Sequence, residues 1–260
     1  MTRDMRQLDY DELRGVIADQ PYMLLFATVS GAHLYGFPSR DSDIDLRGVH
    51  VLPAEEVVGL TTGPETLDRT WFQNEAEVDL VTHDPAKFAR LMLRRNGYVL
   101  EQVLSPLVVA TTPEHEELVA LAPGCLTKWH AHHYRGFAST QWTLFGKSGE
   151  LKPLLYTFRV LLTGIHLMRA GEVQADLREL QTIVAEAPGY LGELMAAKAE
   201  AEHGPLTGPL TGPSRDLLER DVVALQAALD QAETDSKLAD RPTADAALHN
   251  LLARTRLRSA

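Results

Sequence analysis

The first half of the chain alternates between short apolar runs and turns. A helix is predicted over residues 7–20, because its apolar positions recur at helical spacing before Pro21. Residues 22–29 are continuously apolar or β-branched, which indicates a buried strand. Residues 43–51 alternate polar and apolar side chains and therefore predict a second strand. Residues 70–82 predict one or two further strands.

Helical periodicity dominates the remainder of the chain. Helices are predicted over residues 85–95, 126–145, 151–170, 172–187, 189–202, 214–234 and 243–257. Residues 97–112 are expected to form a further helical stretch and a connection, which Pro106 breaks. Residues 203–214 contain a tandem Pro-Leu-Thr-Gly repeat that is typical of a flexible linker. The expected fold class is α+β: a small mixed β-sheet domain over residues 1–122, followed by an all-helical domain over 123–260 that closes a cleft.

The candidate functional residues lie in the turn between the first and second predicted strands and at the start of the second. Gly31 and Gly36 lie in the turn between them, where glycine allows backbone N–H groups to approach an anion closely. The second strand opens with Ser-Asp-x-Asp, and Asp43 and Asp45 share one face of it because they are two residues apart. Two carboxylates so placed can ligate a hard divalent cation.

A third carboxylate on a neighbouring strand would complete a site for two metal ions. Asp79 is the first candidate, because it lies in the predicted strand over 77–82. Glu77 shares its face and is the reserve. Arg47 lies on the same face as the aspartates, where it can touch a phosphate or pair with Asp43 or Asp45.

A strand, a glycine turn, Asp-x-Asp and a later carboxylate together resemble the DNA-polymerase-β-type nucleotidyltransferase superfamily. The fuller string over residues 31–49 looks like its YcgL-type branch of bacterial predicted nucleotidyltransferases, and Lys152, Tyr156 and Arg159 fit that branch too. The resemblance extends over residues 22–180.

The resemblance implies a metal-dependent mechanism. Asp43, Asp45 and Asp79 would hold two Mg²⁺ ions, with Mn²⁺ as a substitute, about 3.5–4 Å apart. An acceptor hydroxyl would attack the α-phosphorus of a nucleoside triphosphate such as ATP, and pyrophosphate would leave. Asp79 could also take the proton of that hydroxyl.

The implied nucleotide site draws on both halves of the chain. Its candidate residues are Ser30, Gly31, Ala32, Gly36, Arg40, Lys152, Tyr156 and Arg159. Lys152, Tyr156 and Arg159 form a polar stripe on the otherwise apolar helix over 151–170, and we expect this stripe to face the nucleotide cleft. One position departs from the superfamily: Ala32 stands where a serine usually follows the first glycine, and Ser30 precedes that glycine instead.

Composition and charge narrow the function classes. The formal net charge is −11, and residues 1–122 carry 20 acidic against 10 basic side chains. This acidity argues against tight binding of duplex DNA, which needs a basic surface. No apolar run approaches the ~20 residues of a membrane span. Cys125 is the single cysteine, so no intrachain disulfide forms, and a cytoplasmic protein without membrane contact is expected.

The leading hypothesis is an enzyme that transfers a nucleoside monophosphate to a hydroxyl of a small molecule, a protein or an RNA end. Ala32 favours an alternative, a non-catalytic nucleotide-binding or toxin-neutralising module with the same fold. A metal-dependent phosphoesterase that uses the same acids is the third alternative.

Overall fold

The computed structural model describes residues 8–73, 76–199 and 213–258. These residues form two compact units. The sheet unit comprises residues 8–34, 43–126 and 241–258, and the helical unit comprises residues 35–42 and 127–240, in each case where the chain is described. The sequence predicts one domain boundary, near residue 122. In the structure, residues 35–42 precede that boundary but belong to the helical unit, and residues 241–258 follow it but belong to the sheet unit.

The sheet unit contains, among its described residues, five strands in the order β3-β4-β2-β1-β5. They are β1 (Leu24–Val29), β2 (Ile44–His50), β3 (Thr66–Gln73), β4 (Ala76–His83) and β5 (Val108–Ala110). The β2–β4 pair is parallel and the other pairs are antiparallel, so the predicted mixed sheet is confirmed. The three-residue β5 differs from the sequence prediction, which places these residues in the connection that follows a helical stretch.

Helices accompany this sheet within its unit. They are α1 (Tyr10–Ala18), α2 (Gly31–Leu34), α3 (Glu55–Val58), α4 (Pro85–Met92), α5 (Gly97–Val103), α6 (Pro113–Leu121) and, from the end of the chain, α12 (Asp245–Arg258). One face of the sheet packs against α1 through an apolar cluster that includes Leu13, Ala27, Leu46 and Leu80. The opposite face carries the polar side chains of β2 and β4, because side chains alternate along each strand.

The helical unit is built around one long buried helix. Its helices are α7 (His130–Ser148), α8 (Leu151–Ala170), α9 (Leu177–Ile183), α10 (Leu191–Lys198) and α11 (Arg215–Asp235). A Cβ at Gly164 would come within 3.0 Å of Tyr134 and Leu229, so α8 approaches α7 and α11 closely. The predicted helix over 151–170 is confirmed, whereas α9 is shorter than the predicted 172–187.

Most of the predicted linker over 203–214 lies outside the described residues, and Ser214 within it caps α11. Among the described residues, no helix combines the length and the apolar character needed to cross a bilayer.

Candidate nucleotidyl-transfer site

The acidic pair is created by the parallel strands β2 and β4. Asp45 on β2 lies directly beside Asp79 on β4 in the strand register. Both side chains are on the face opposite to α1, since Leu46 and Leu80, their neighbours, lie in the core on the other face. Asp43 immediately precedes β2 and is half-buried. The expected placement of Asp79 on the strand next to Asp45 is therefore confirmed.

The glycine turn supports one of these carboxylates. Gly31 begins α2 with a φ of 59°, a left-handed conformation that favours glycine. A Cβ at this position would lie 1.8 Å from Oδ2 of Asp45. The Ser30 N–H also donates to the Asp45 carbonyl at 2.8 Å. The glycine turn thus holds the Asp45 side chain against the backbone of Gly31.

The hydroxyl of Ser30 is fully buried and finds no hydrogen-bond partner among the described residues. Ala32, two residues further along the chain, is buried in α2. That either residue contacts a phosphate stays a prediction.

Arg47 joins the two strand carboxylates. Its Nη2 donates to Oδ1 of Asp45 at 2.7 Å and to Oδ2 of Asp79 at 2.9 Å. Burial by itself would lower the pKa of Arg47, but contact with Tyr98 and the charges of Asp45 and Asp79 outweigh this and raise it. The guanidinium therefore stays charged, and it offsets part of the negative charge of the pair.

The carboxylates of this face are of the chemical type that would hold the Mg²⁺ implied by the sequence resemblance. Carboxylate oxygens are the ligands that Mg²⁺ prefers, and Mg²⁺ typically takes one or two of them together with substrate phosphates. In the part of the chain that the structure describes, no three His, Cys, Asp or Glu side chains are gathered closely enough to hold a metal ion. Asp45 and Asp79 are both bonded to Arg47, and that Asp43 and Asp45 hold such an ion stays a prediction.

The resemblance rests on a strand, a glycine turn, Asp-x-Asp and a later carboxylate. The structure adds the left-handed φ of Gly31 and the parallel pairing of β2 with β4. A match to a family decides whether the chain belongs to the polymerase-β-type superfamily. The profile of the RNA repair pathway DNA polymerase β family matches residues 5–254. The chain belongs to this family. The match confirms the resemblance to polymerase-β-type nucleotidyltransferases.

Two relatives and one protein of solved structure are similar to this chain. The uncharacterized protein MJ0002 of Methanocaldococcus jannaschii is 26% identical over 84% of this chain and 88% of its own length. The uncharacterized protein YcgL of Bacillus subtilis is 23% identical over 65% of each protein. A nucleotidyltransferase-like protein of Exiguobacterium sibiricum has a solved structure with 13% identity, a TM-score of 0.32, and coverage of 87% of this chain and 72% of that one.

Two candidate phosphate ligands belong to the helical unit. Gly36 has a φ of 84°, and a Cβ there would lie 2.0 Å from Oδ1 of Asp176 and 2.8 Å from Nε of Arg178. Asp176 is the N-cap residue of α9, so the lack of a side chain at Gly36 leaves room for the start of that helix. Arg40 is exposed. Their contact with a nucleotide stays a prediction.

The expected polar stripe of α8 is partly buried. The guanidinium carbon of Arg159 lies 3.8 Å from the ring centroid of Tyr35, and the residue is 2% exposed. Tyr156 packs edge-on against Tyr35 and Phe37, and Lys152 is half-buried. Arg159 therefore has a structural role within the helical unit, and its expected contact with a nucleotide is not tested.

Two further residues were not found from the sequence. Phe72 on β3 is opposite Glu77 in the register, so it lies on the face that carries Asp79, and it is 75% exposed. Lys198, in the helical unit, is buried and donates to the hydroxyls of Ser39 and Ser42 at 2.9 and 3.2 Å. Phe72 could have been noticed as an aromatic residue at an outward position of a strand, whereas no local pattern marks Lys198.

Proposed function

We propose that this chain transfers a nucleoside monophosphate from a nucleoside triphosphate to a terminal hydroxyl of an RNA strand. The observation that carries the proposal is the placement of Asp45, held between the Gly31 turn and Arg47 and beside Asp79. Membership of a polymerase-β-type family named for RNA repair supports RNA over a small molecule or a protein as the acceptor.

Different residues of the sheet unit would bind the cation and the phosphates. Asp43 and Asp45 would hold a divalent cation, which supplies positive charge to the triphosphate when bound. Backbone N–H groups at Gly31 and Ala32 would bind phosphate oxygens, because these donors do not depend on a side chain. The acceptor oxygen bonds to the α-phosphorus, the bond from that phosphorus to the bridging oxygen breaks, and pyrophosphate leaves with the electron pair.

The proton of the acceptor hydroxyl goes to Asp79. Its Oδ2 is bonded to Arg47, and among the described residues its Oδ1 has a long contact of 3.4 Å with the Thr70 hydroxyl. Oδ1 is therefore the oxygen that we assign as the proton acceptor.

The acceptor strand would approach over the β3 edge of the sheet. Phe72 is exposed on the face that carries the acids, and an exposed aromatic ring is a stacking platform for an unpaired base. Stacking of this kind tolerates any base and adds no positive charge, which agrees with the acidity of the chain.

The test uses α-labelled nucleoside triphosphates, Mg²⁺ and single-stranded RNA ending in a 3′-hydroxyl or a 3′-phosphate. We expect label on the 3′-hydroxyl strand and release of pyrophosphate. Asp45→Asn should lower the rate by about a hundredfold or more, the size of loss when one electrostatic contact of an active site is removed. Asp11→Asn, which changes an exposed carboxylate on α1 at the opposite face of the sheet, is the control and should keep the rate.

A second candidate function is a non-catalytic nucleotide-binding module. Two observations favour it: Ala32 lacks the usual hydroxyl, and Arg47 already neutralises part of the acidic pair. The same assay separates the two, because a binding module retains the labelled nucleotide without transferring it. Release of inorganic phosphate instead of pyrophosphate would indicate a phosphoesterase.

A further inference from the structure

Arg47 occupies the position between the two strand carboxylates. Its Nη2 bonds to both Asp45 and Asp79, and its Nη1 donates to the carbonyls of Leu46 and Asp79 at 2.8 Å each. Its side chain is 10% exposed. In the arrangement implied by the superfamily, the space between these two carboxylates belongs to a metal ion.

We propose that Arg47 supplies, between Asp45 and Asp79, the positive charge that a second metal ion supplies in a two-metal site. The chain then takes one divalent cation, on Asp43 and Asp45. This inference rests on the proposed function, since it assigns charges within that site. It makes Arg47 a positioning residue, which acts through the two aspartates.

The geometry makes the guanidinium difficult to displace. A metal ion between Asp45 and Asp79 would break two charge-assisted hydrogen bonds. It would also leave a largely buried cation without its carboxylates, which is strongly unfavourable. Arg47 cannot escape this by losing its proton, because a guanidinium remains charged in proteins.

The same contact orients the aspartate that faces the nucleotide turn. Oδ1 of Asp45 accepts from Arg47, while Oδ2 lies against the backbone of Gly31. The planar guanidinium reaches carboxylates on two neighbouring strands at once, which a lysine ammonium does with less geometric control. Arg47 therefore sets which oxygen of Asp45 is directed towards the turn.

The test counts metal ions without requiring turnover. Mn²⁺ is titrated by electron paramagnetic resonance into the full chain in the presence of a nucleoside triphosphate analogue with a methylene group between the α- and β-phosphorus. We expect one bound Mn²⁺ per chain in the wild type and one in Asp79→Asn. Asp45→Asn should weaken Mn²⁺ binding more than tenfold. Two ions in the wild type, one of them lost in Asp79→Asn, would overturn the inference, and so would no bound ion.

Variants at Arg47 give the complementary result. Arg47→Ala removes the cation between the carboxylates, so a second Mn²⁺ should bind, whereas Arg47→Lys should keep the count at one. A second ion in both or in neither of these folded variants contradicts the assignment. If Arg47→Ala does not fold, the comparison of the wild type with Asp79→Asn decides. A count of one without nucleotide transfer would instead refute the proposed function and leave the role of Arg47 standing.

Discussion

Gly31 and Asp45 show how a single backbone position shapes the site. The two residues meet because β1 and β2 are antiparallel neighbours and the chain turns sharply after Val29. At Gly31 the left-handed φ and the carboxylate 1.8 Å from a would-be Cβ both exclude a side chain. The glycine is therefore required by the carboxylate as well as by the turn.

Gly31→Ala should destabilise the protein and impair the site together. The left-handed conformation alone costs about 1–2 kcal/mol for a residue with a Cβ, and displacement of Asp45 adds to this. Gly15→Ala is the matched control: nothing lies within 4 Å of its Cβ position in the middle of α1, so it should stabilise by about 0.5–1 kcal/mol. Urea unfolding measures both changes, and Mn²⁺ affinity should fall only in Gly31→Ala. Equal unfolding free energies for Gly31→Ala and the wild type would contradict this account.

At the scale of elements, the β3–β4 pair forms the edge of the sheet beside the site, over which we propose that the acceptor strand approaches. β3 is an edge strand, and Thr70 and Phe72 lie on the same face as Asp79 because they pair with Asp79 and Glu77. α3 follows β2 and so lies towards the opposite end of that strand from Asp45. A substitution on β3 therefore tests the site. A substitution of an exposed apolar residue on α3 tests the general effect of removing surface hydrophobicity.

Phe72→Ala should raise the KM for a single-stranded RNA acceptor with little change in kcat. One base–aromatic stack is worth about 1–3 kcal/mol, which corresponds to roughly a 5- to 150-fold weaker interaction. Val58→Ala removes another exposed apolar side chain, on α3, and should leave KM unchanged. Steady-state kinetics with labelled RNA makes the comparison. An unchanged KM in Phe72→Ala would remove this residue from the acceptor site.

At the scale of the whole chain, the last helix returns to the sheet unit. Asp84 caps α4 by accepting from the Ala86 N–H at 2.9 Å, and it also accepts from Nη2 of Arg256 on α12 at 2.6 Å. The Asp84 side chain is 3% exposed and that of Arg256 is 17% exposed. Residues 172 positions apart thus form a buried ion pair in this unit.

Arg256→Ala should lower the free energy of unfolding by about 3 kcal/mol, because it leaves the buried Asp84 carboxylate without its cation. Arg254→Ala is the control on the same helix. Its partner is Glu117, both side chains are about half exposed, and such pairs contribute about 0–1 kcal/mol. Chemical denaturation of both variants tests the difference, and losses of similar size would show that burial of the Asp84 pair is unimportant.

The sequence by itself determined the elements whose signals are local. The apolar run of β1, the alternation of β2 and the periodicity of α8 each fix an element within about two residues, because they depend on the spacing of neighbouring side chains. Asp43 and Asp45 were found for the same reason, since a strand repeat of two places them on one face. Asp79 followed from its place in a predicted strand, and the strand register puts it beside Asp45.

Only the tertiary structure decided how separate segments combine. From the sequence, Arg47 could either touch a phosphate or pair with Asp43 or Asp45. The fold bonds it to Asp45 and also to Asp79, which is 32 residues away on β4. The fold likewise places Asp176 against Gly36, and it assigns residues 241–258 to the sheet unit. Such contacts depend on which strands and helices pack together, and packing is set by side chains distant in sequence rather than by the spacing of neighbours.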